Sequence, residues 1–314
     1  MSHQISRRRA IAALTAATLT SPGVLSATAR ATPGTEDSWI DAHSHIWTTD
    51  VAHFPLREGV SVADLKPASF TDAELMEIAA PEGVRQVVLI QHHPYHGFDN
   101  SYLLDAVRRH PDRFRVVGMI DDRLPGVSEK MDSMLKQGVT GFRIGPREDH
   151  PRWHESEGLR MMWKTAARTR QSMCCLINPH EIRIVDQLCR SFPETPVVID
   201  HFARIGMKGD VDEQDLSALC DLSAHPHVRV KISAYYALGA KKPPHHELVP
   251  MIRRLCDAFG AGRLMWASDC PYQLGDGNSY AASIRLIRDH IDFVSDAERQ
   301  QLLRNTARET FFFA

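Results

Sequence analysis

Eight short apolar runs, each rich in Val, Ile or aromatic residues, alternate with segments of helical periodicity from Trp39 onward. They are Trp39 to Ala42, Val84 to Ile90, Arg115 to Ile120, Val139 to Ile144, Met173 to Ile177, Val197 to Ile199, Val228 to Ile232 and Arg263 to Ala267. A near-continuous apolar run suits a strand buried on both faces, and strands separated by helices pair in parallel. Leu248, Val249, Ile252, Leu255, Cys256 and Phe259 form the apolar face of one intervening helix, and Ile284, Ile287 and Ile291 that of another. Thr71 with Glu74 and Ser295 with Glu298 read as capping boxes, in which hydroxyl and carboxylate satisfy backbone donors that a helix start leaves unpaired. Eight strand–helix units within residues 32–314 predict a single-domain α/β fold, the (β/α)8 TIM barrel, which typically needs about 250 residues. An open doubly wound sheet is disfavoured, because no glycine-rich phosphate loop follows the first strand.

Residues 1–31 stand apart from this pattern. Arg7-Arg8-Arg9 precedes the weakly apolar stretch Ala10 to Leu25, which ends in the small residues Ala27-Thr28-Ala29. This is the layout of a twin-arginine export signal, with cleavage expected after Ala29 or Ala31. The apolar stretch is too short and too rich in Ala and Thr to span a bilayer. The expected location is therefore periplasmic or secreted, or cytoplasmic if the signal is not used. With 37 basic and 39 acidic residues the chain shows no electrostatic footprint for nucleic acid, and no membrane partner is expected for the mature form. Six cysteines without a Cys-x-x-Cys pair suggest neither a disulfide scaffold nor a zinc ribbon.

In a parallel barrel, catalytic groups come from the C-terminal ends of the strands. Here those ends carry Asp41-Ala42-His43-Ser44-His45, Gln91-His92-His93, Asp121-Asp122, Arg143, Asn178-Pro179-His180, Asp200-His201, Lys231 with Ser233, and Ser268-Asp269-Cys270. His43 and His45, two apart on a strand, project to the same side and can share one ion. With His201 and Asp269 they make a donor set suited to zinc or a similar divalent metal with one position left for water. Such a metal lowers the pKa of bound water to about 7, and Asp269 is placed to take its proton and pass it to a leaving oxygen. His92 and His93 are adjacent, so only one is expected to contact substrate, with His92 the candidate. Tyr235 and Tyr236 are expected to cap the pocket, Tyr235 as a substrate contact, and Trp47 to wall it. Cys174 and Cys175 should point to opposite faces of their strand. Cys270, beside Asp269, reads as a buried thiol rather than a nucleophile.

His43-Ser44-His45 after an apolar strand, Val197-Val198-Ile199-Asp200-His201 and Leu264-Met265-Trp266-Ala267-Ser268-Asp269-Cys270-Pro271 resemble the amidohydrolase-2 family of the amidohydrolase superfamily. Ala267 and Cys270 depart from that family's Gly-Ser-Asp-Trp-Pro segment, and Asn305-Thr306-Ala307 stands where the family has Asn-Ala before its closing helix. His96-Gly97-Phe98-Asp99-Asn100 and Gly141-Phe142-Arg143 are similar to its lactonase branch, which includes 2-pyrone-4,6-dicarboxylate hydrolase and 4-sulfomuconolactone hydrolase. The resemblance implies a metal-dependent hydrolase with His43, His45 and His201 around the metal and Asp269 in proton transfer. Arg143 and Arg147 become candidates for holding a substrate carboxylate or sulfonate. Many superfamily members place a ligand His on the fifth strand, whereas this chain has Asn178 there and His180 two residues late, which makes His180 a weak candidate. Some relatives in the branch work without metal, so a metal-independent mechanism stays open.

The leading expectation is opening of a small anionic lactone, muconolactone-type with a carboxylate or sulfonate, by water attack on the ring carbonyl, in aromatic-compound degradation. Two alternatives are a non-oxidative decarboxylase of an aromatic or muconate-type acid and an exported metal- or ligand-binding protein without turnover. A homo-oligomer is compatible with either.

Overall fold

The eight apolar runs become eight strands: β1 Trp39–Ser44, β2 Val84–Ile90, β3 Phe114–Gly118, β4 Val139–Ile144, β5 Ser172–Cys175, β6 Val197–Ile199, β7 Val228–Ile232 and β8 Leu264–Trp266. They are taken from a computed structural model that describes residues 38–313; the expected export signal, residues 1–31, lies outside the described residues. The strands lie side by side in chain order, every successive pair parallel. β8 meets β1 just beyond its own end, where Asp269 N donates to His43 O at 2.8 Å and His45 N to Cys270 O at 2.8 Å. This is the (β/α)8 barrel expected from the alternation, and its closing seam runs through the residues that carry the candidate chemistry.

Several strands stop short of their apolar runs. Beyond Gly118, for example, the Met119 N–H donates to the Asn100 side chain at 2.9 Å rather than continuing a ladder. Each shortening leaves the chain free to turn at the strand's C-terminal end. The helices follow their predicted faces: Val249–Phe259 buries Met251, Ile252, Leu255 and Phe259. Tyr280–Arg285 runs on into a wider turn, Leu286–His290, which buries Leu286 and Ile287. Both capping boxes form, with Thr71 N donating to Glu74 Oε2 at 2.6 Å and Ser295 N to Glu298 Oε2 at 2.8 Å.

Apolar side chains divide between two regions. One fills the space between strands and helices, and the other fills the barrel interior with Ile40, Ala42, Val88, Ile90, Val117, Cys174, Val198, Met265 and Ala267. Cys174 faces this interior and Cys175 the outer region, as alternation requires. The C-terminal helix Thr306–Phe311 adds Ala307 and Phe311 to the interior. Just beyond it Phe312 and Phe313 lie against Arg115 and Arg170, near the starts of β3 and β5, so this segment covers the N-terminal end of the barrel. The opposite end is left to polar groups. Among the described residues no helix is long and apolar enough to cross a membrane.

Candidate active site at the C-terminal end of the barrel

The seam between β1 and β8 is held by one buried carboxylate. Asp41 accepts from the backbone N–H groups of His43 (3.0 Å) and Ser268 (2.8 Å), and from the hydroxyls of Ser44 (2.8 Å) and Tyr280 (2.9 Å). A carboxylate with four donors is well satisfied despite full burial. Its consequence is positional: the residues that carry His43 and Asp269 are tied to a single anchor.

Above that anchor the predicted set converges. Asp269 Oδ1 lies 3.4 Å from His43 Nε2 and 3.4 Å from His45 Nε2, and Asp269 Oδ2 lies 3.8 Å from His201 Nε2. The His43 ring centre is 5.1 Å from that of His45 and 4.4 Å from that of His201. Burial alone would raise the Asp269 carboxyl, but the facing imidazoles, His201 foremost, outweigh it and hold it below the ordinary carboxylate range. Burial likewise pushes the His201 ring down to about 4, against the opposing pull of Asp269, so it is neutral at physiological pH. Tyr236 donates to Asp269 Oδ2 at 2.7 Å, and burial, with the carboxylate beside it, raises that phenol and keeps it a donor.

A second buried layer supports the first. Asp200 directly follows β6 with its side chain fully buried, at ion-pair distance from Lys231 Nζ (3.0 Å) and Arg143 Nη2 (3.5 Å). Burial acts to raise the Asp200 carboxyl, but Lys231, then His43, hold it well below its usual range. His43 sits between these groups. Arg143 Nη2 donates to its Nε2 at 2.7 Å, while its Nδ1 lies 3.6 Å from Asp200 and 3.2 Å from Lys231 Nζ. Burial foremost, then Lys231, pushes the His43 ring well below its ordinary value, so it stays neutral.

The donor set fits a divalent ion. Metal–ligand bonds of about 2.0–2.2 Å in tetrahedral array place ligand atoms about 3.4 Å apart, the separation of Asp269 Oδ1 from each of two imidazole nitrogens. His45 Nδ1 lies 2.9 Å from Ile90 O, which fixes the proton on that nitrogen and turns the Nε2 lone pair toward the carboxylate. Two acceptors then face each other, and a proton or a metal ion is what reconciles them. The ligand atoms of His43, His45 and Asp269 all lie within 4.8 Å of one another, as do those of His43, Asp200 and His201. Arg143, donating to His43 Nε2, would have to give up that lone pair to an incoming ion.

A cavity of about 400 Å³ opens over Asp269. His45, His92, His93, Arg143, Arg147, His201, Arg204, Tyr236 and Tyr272 supply its polar lining, and Met119, Ile144, Leu176, Met207 and Leu238 an apolar wall. Arg143 and Arg147 therefore reach the pocket, as does His92, whose Nε2 is hydrogen-bonded to the Tyr272 hydroxyl and whose ring burial pushes down to about 2. Four expectations are corrected. Tyr235 is buried away from the cavity with its hydroxyl on Ile232 O at 2.8 Å, and its neighbour Tyr236 is the pocket residue. His180 is exposed in a short turn after β5 and belongs to neither donor group. His93 lines the cavity together with His92, because the chain enters a one-turn helix, His93–His96, and strand alternation no longer applies. Trp47 buttresses the wall from behind, against His92 and Tyr95, without lining it.

Sequence reasoning did not foresee the turn after β6. His201, Phe202, Ala203 and Arg204 have φ of 53°, 53°, 53° and 61°, four consecutive non-glycine residues in the left-handed region. Each costs about 1–2 kcal/mol relative to the right-handed form. His201 Nδ1 is fixed by Ser233 Oγ at 2.8 Å, and Phe202 and Ala203 are fully buried behind the turn. Periodicity carries no sign of such a turn; the only cue was the position of His201 at the end of an apolar run.

With the geometry established, the comparisons with known proteins are consistent. The chain is 27% identical over 239 residues to L-fucono-1,5-lactonase of Burkholderia ambifaria, covering 74% of this chain and 80% of that protein. It is 27% identical over 242 residues to 4-sulfomuconolactone hydrolase of Hydrogenophaga intermedia, covering 75% of each. The crystal structure of a Burkholderia multivorans amidohydrolase with bound zinc matches with a TM-score of 0.73 at 20% identity, over 88% of this chain and all of that one, which shows the shared fold. The amidohydrolase-2 family model, described as amidohydrolase, matches residues 40–313, and the chain belongs to that family.

Proposed function

We propose that the protein is a hydrolase that opens a small lactone bearing an acidic substituent, of the muconolactone type, in the breakdown of aromatic compounds. The observation that carries this reading is an ionised Asp269 at the focus of three imidazoles, lining a cavity that guanidinium groups also line. The names of the relatives support lactone chemistry. The apolar wall of Met119, Ile144, Leu176, Met207 and Leu238 suits a flat, poorly hydroxylated ring better than a sugar lactone, whose hydroxyls need many polar partners.

In this reading Asp269 accepts a proton from the attacking water and returns it to the ring oxygen as the acyl–oxygen bond breaks. Water adds across that bond, and a hydroxy acid leaves as its carboxylate, with one proton released to solvent. Tyr236, donating to Oδ2, fixes the carboxylate plane and leaves Oδ1 toward His43 and His45. Arg143 and His201 lie at the same end of the cavity to favour negative charge on the carbonyl oxygen. A divalent ion, zinc being the proposed one, would be held by His43, His45, Asp269 and His201, and when bound would acidify water and polarise the carbonyl.

The direct test is a pH-stat screen of the purified protein against carboxylated, sulfonated, uncharged and sugar lactones. Saturable base uptake with the acid-bearing members is the expected result, and base uptake restricted to sugar lactones would refute the substrate class. Metal occupancy has its own readout. Zinc added to chelator-stripped protein at about 100 times its Kd should stabilise the fold by about 2.7 kcal/mol, seen as a higher melting temperature. His45→Gln should abolish that shift; an equal shift in the variant would place the metal elsewhere.

The segment Ser6 to Ala31 supports export by the twin-arginine route. N-terminal sequencing of the mature protein from the periplasm tests this, with a start after Ala29 or Ala31 expected. A start at residue 1 or 2 in the cytoplasm would oppose it.

A further inference from the structure

The cavity is lined by three arginines, but they are not equally free to take an anion. Arg143 faces Asp200 at 3.5 Å and donates to His43 at 2.7 Å. Arg147 Nε donates to Asp149 at 3.2 Å and the guanidinium lies over the Phe98 ring, 5.2 Å from its centroid, so its charge already faces a carboxylate although its Nη2 is buried without a partner. Arg204 differs. Its one hydrogen bond among the described residues is a long one, 3.4 Å from Nη1 to Asn178 Oδ1, and no carboxylate oxygen of the described residues lies within ion-pair distance of it. A half-buried guanidinium with most of its five donors unspent, in a cavity walled by Leu176, Met207 and Leu238, is poised to bind an anion strongly.

The backbone points to the same residue. His201 and Arg204 are three apart on the left-handed turn, close to the period of one helical turn, and both line the cavity. Four strained residues in succession would not persist without compensation, and such strain clusters where a fold must hold side chains in a required position. A turn that had only to deliver His201 could relax after it. The strain continues to Arg204 instead.

We propose that Arg204 is the residue that fixes the acidic substituent of the substrate, because Arg143 and Arg147 each already face a carboxylate, Asp200 and Asp149, and Arg204 faces none among the described residues. The idea rests on the lactone reading only for the nature of the reacting group. The substrate class it names is a small ring compound carrying a planar carboxylate, or a sulfonate, on the side facing β5 and β6.

The test uses binding as well as turnover. Isophthalate, a planar diacid with no bond to hydrolyse, and its uncharged diamide are titrated calorimetrically into the full-length wild-type protein and into Arg204→Gln, Arg204→Lys and Arg147→Gln. Hydrogen bonds to charged groups are worth about 1.5–3 kcal/mol, so Arg204→Gln should lower the preference for diacid over diamide by about 10- to 100-fold. Arg204→Lys should recover part of it, and Arg147→Gln should lower it less than Arg204→Gln does. In turnover, Arg204→Gln should raise KM for an acid-bearing lactone more than it lowers kcat, a split that a merely structural role would not produce. Unchanged preference in Arg204→Gln, a larger loss in Arg147→Gln, or no diacid preference in the wild type overturns the proposal. Arg204-dependent diacid binding in a protein that opens no lactone would refute the lactone reading alone.

Discussion

Asp269→Asn should lower kcat/KM for lactone opening by about three orders of magnitude, within the 10²–10⁴ range of a positioned general acid–base group, and leave the fold intact. Asparagine keeps the size of the side chain and an oxygen to accept from Tyr236, but cannot hold a proton between water and the leaving oxygen. The effect should appear in kcat, because the carboxylate is on the cavity floor beneath the cationic groups that recognise an anion. Circular dichroism and thermal melting of the variant separate loss of chemistry from loss of fold. Activity within tenfold of wild type would remove Asp269 from the mechanism and with it the role given to the surrounding imidazoles.

Lys231→Met should destabilise the protein by about 3–5 kcal/mol, the cost of breaking a buried ion pair from one side. Lys231 is fully buried, its Nζ 3.0 Å from Asp200 and 5.3 Å from the centre of the Phe311 ring. Methionine matches much of its volume, so packing against Phe311 is largely kept and the loss is mainly electrostatic. Asp200 would keep Arg143 at 3.5 Å as its nearest cation, with neither carboxylate oxygen accepting a well-aligned hydrogen bond. At about 2–4 °C per kcal/mol for a domain of roughly this size, melting should fall by about 10 °C. Removing both charges, in Lys231→Met with Asp200→Asn, should recover part of that stability, because the stranded carboxylate is gone while Arg143 loses the carboxylate it faces. If Lys231→Met melts like wild type, the pair is not the support beneath His43 described here.

The barrel was legible because each strand is buried on both faces and so reads as an unbroken apolar run. His43 and His45 were legible because a strand alternates, and Asp269 and His201 because each stands two residues past such a run. What was missed lies where these periodicities stop. Two residues past β7 the chain turns at Ala234, whose φ is 60°, and Tyr236 rather than Tyr235 meets Asp269. After β6 the left-handed turn aims Arg204 into the cavity, and after β2 a one-turn helix brings both His92 and His93 to it. His180 stood near a position where relatives carry a ligand, but the chain turns at Pro179 and sends it to solvent. The Asp200–Lys231 pair was visible only as two charged residues at strand ends; that they meet follows from β6 and β7 being neighbours.

Opening an acid-bearing lactone in ¹⁸O-labelled water, followed by mass spectrometry of the hydroxy acid, tests the central claim most directly. Water attack at the ring carbonyl, with Asp269 moving the proton, puts one heavy oxygen in the new carboxylate and none in the new hydroxyl. Heavy oxygen in the hydroxyl, or carbon dioxide as the product in place of a hydroxy acid, would contradict it.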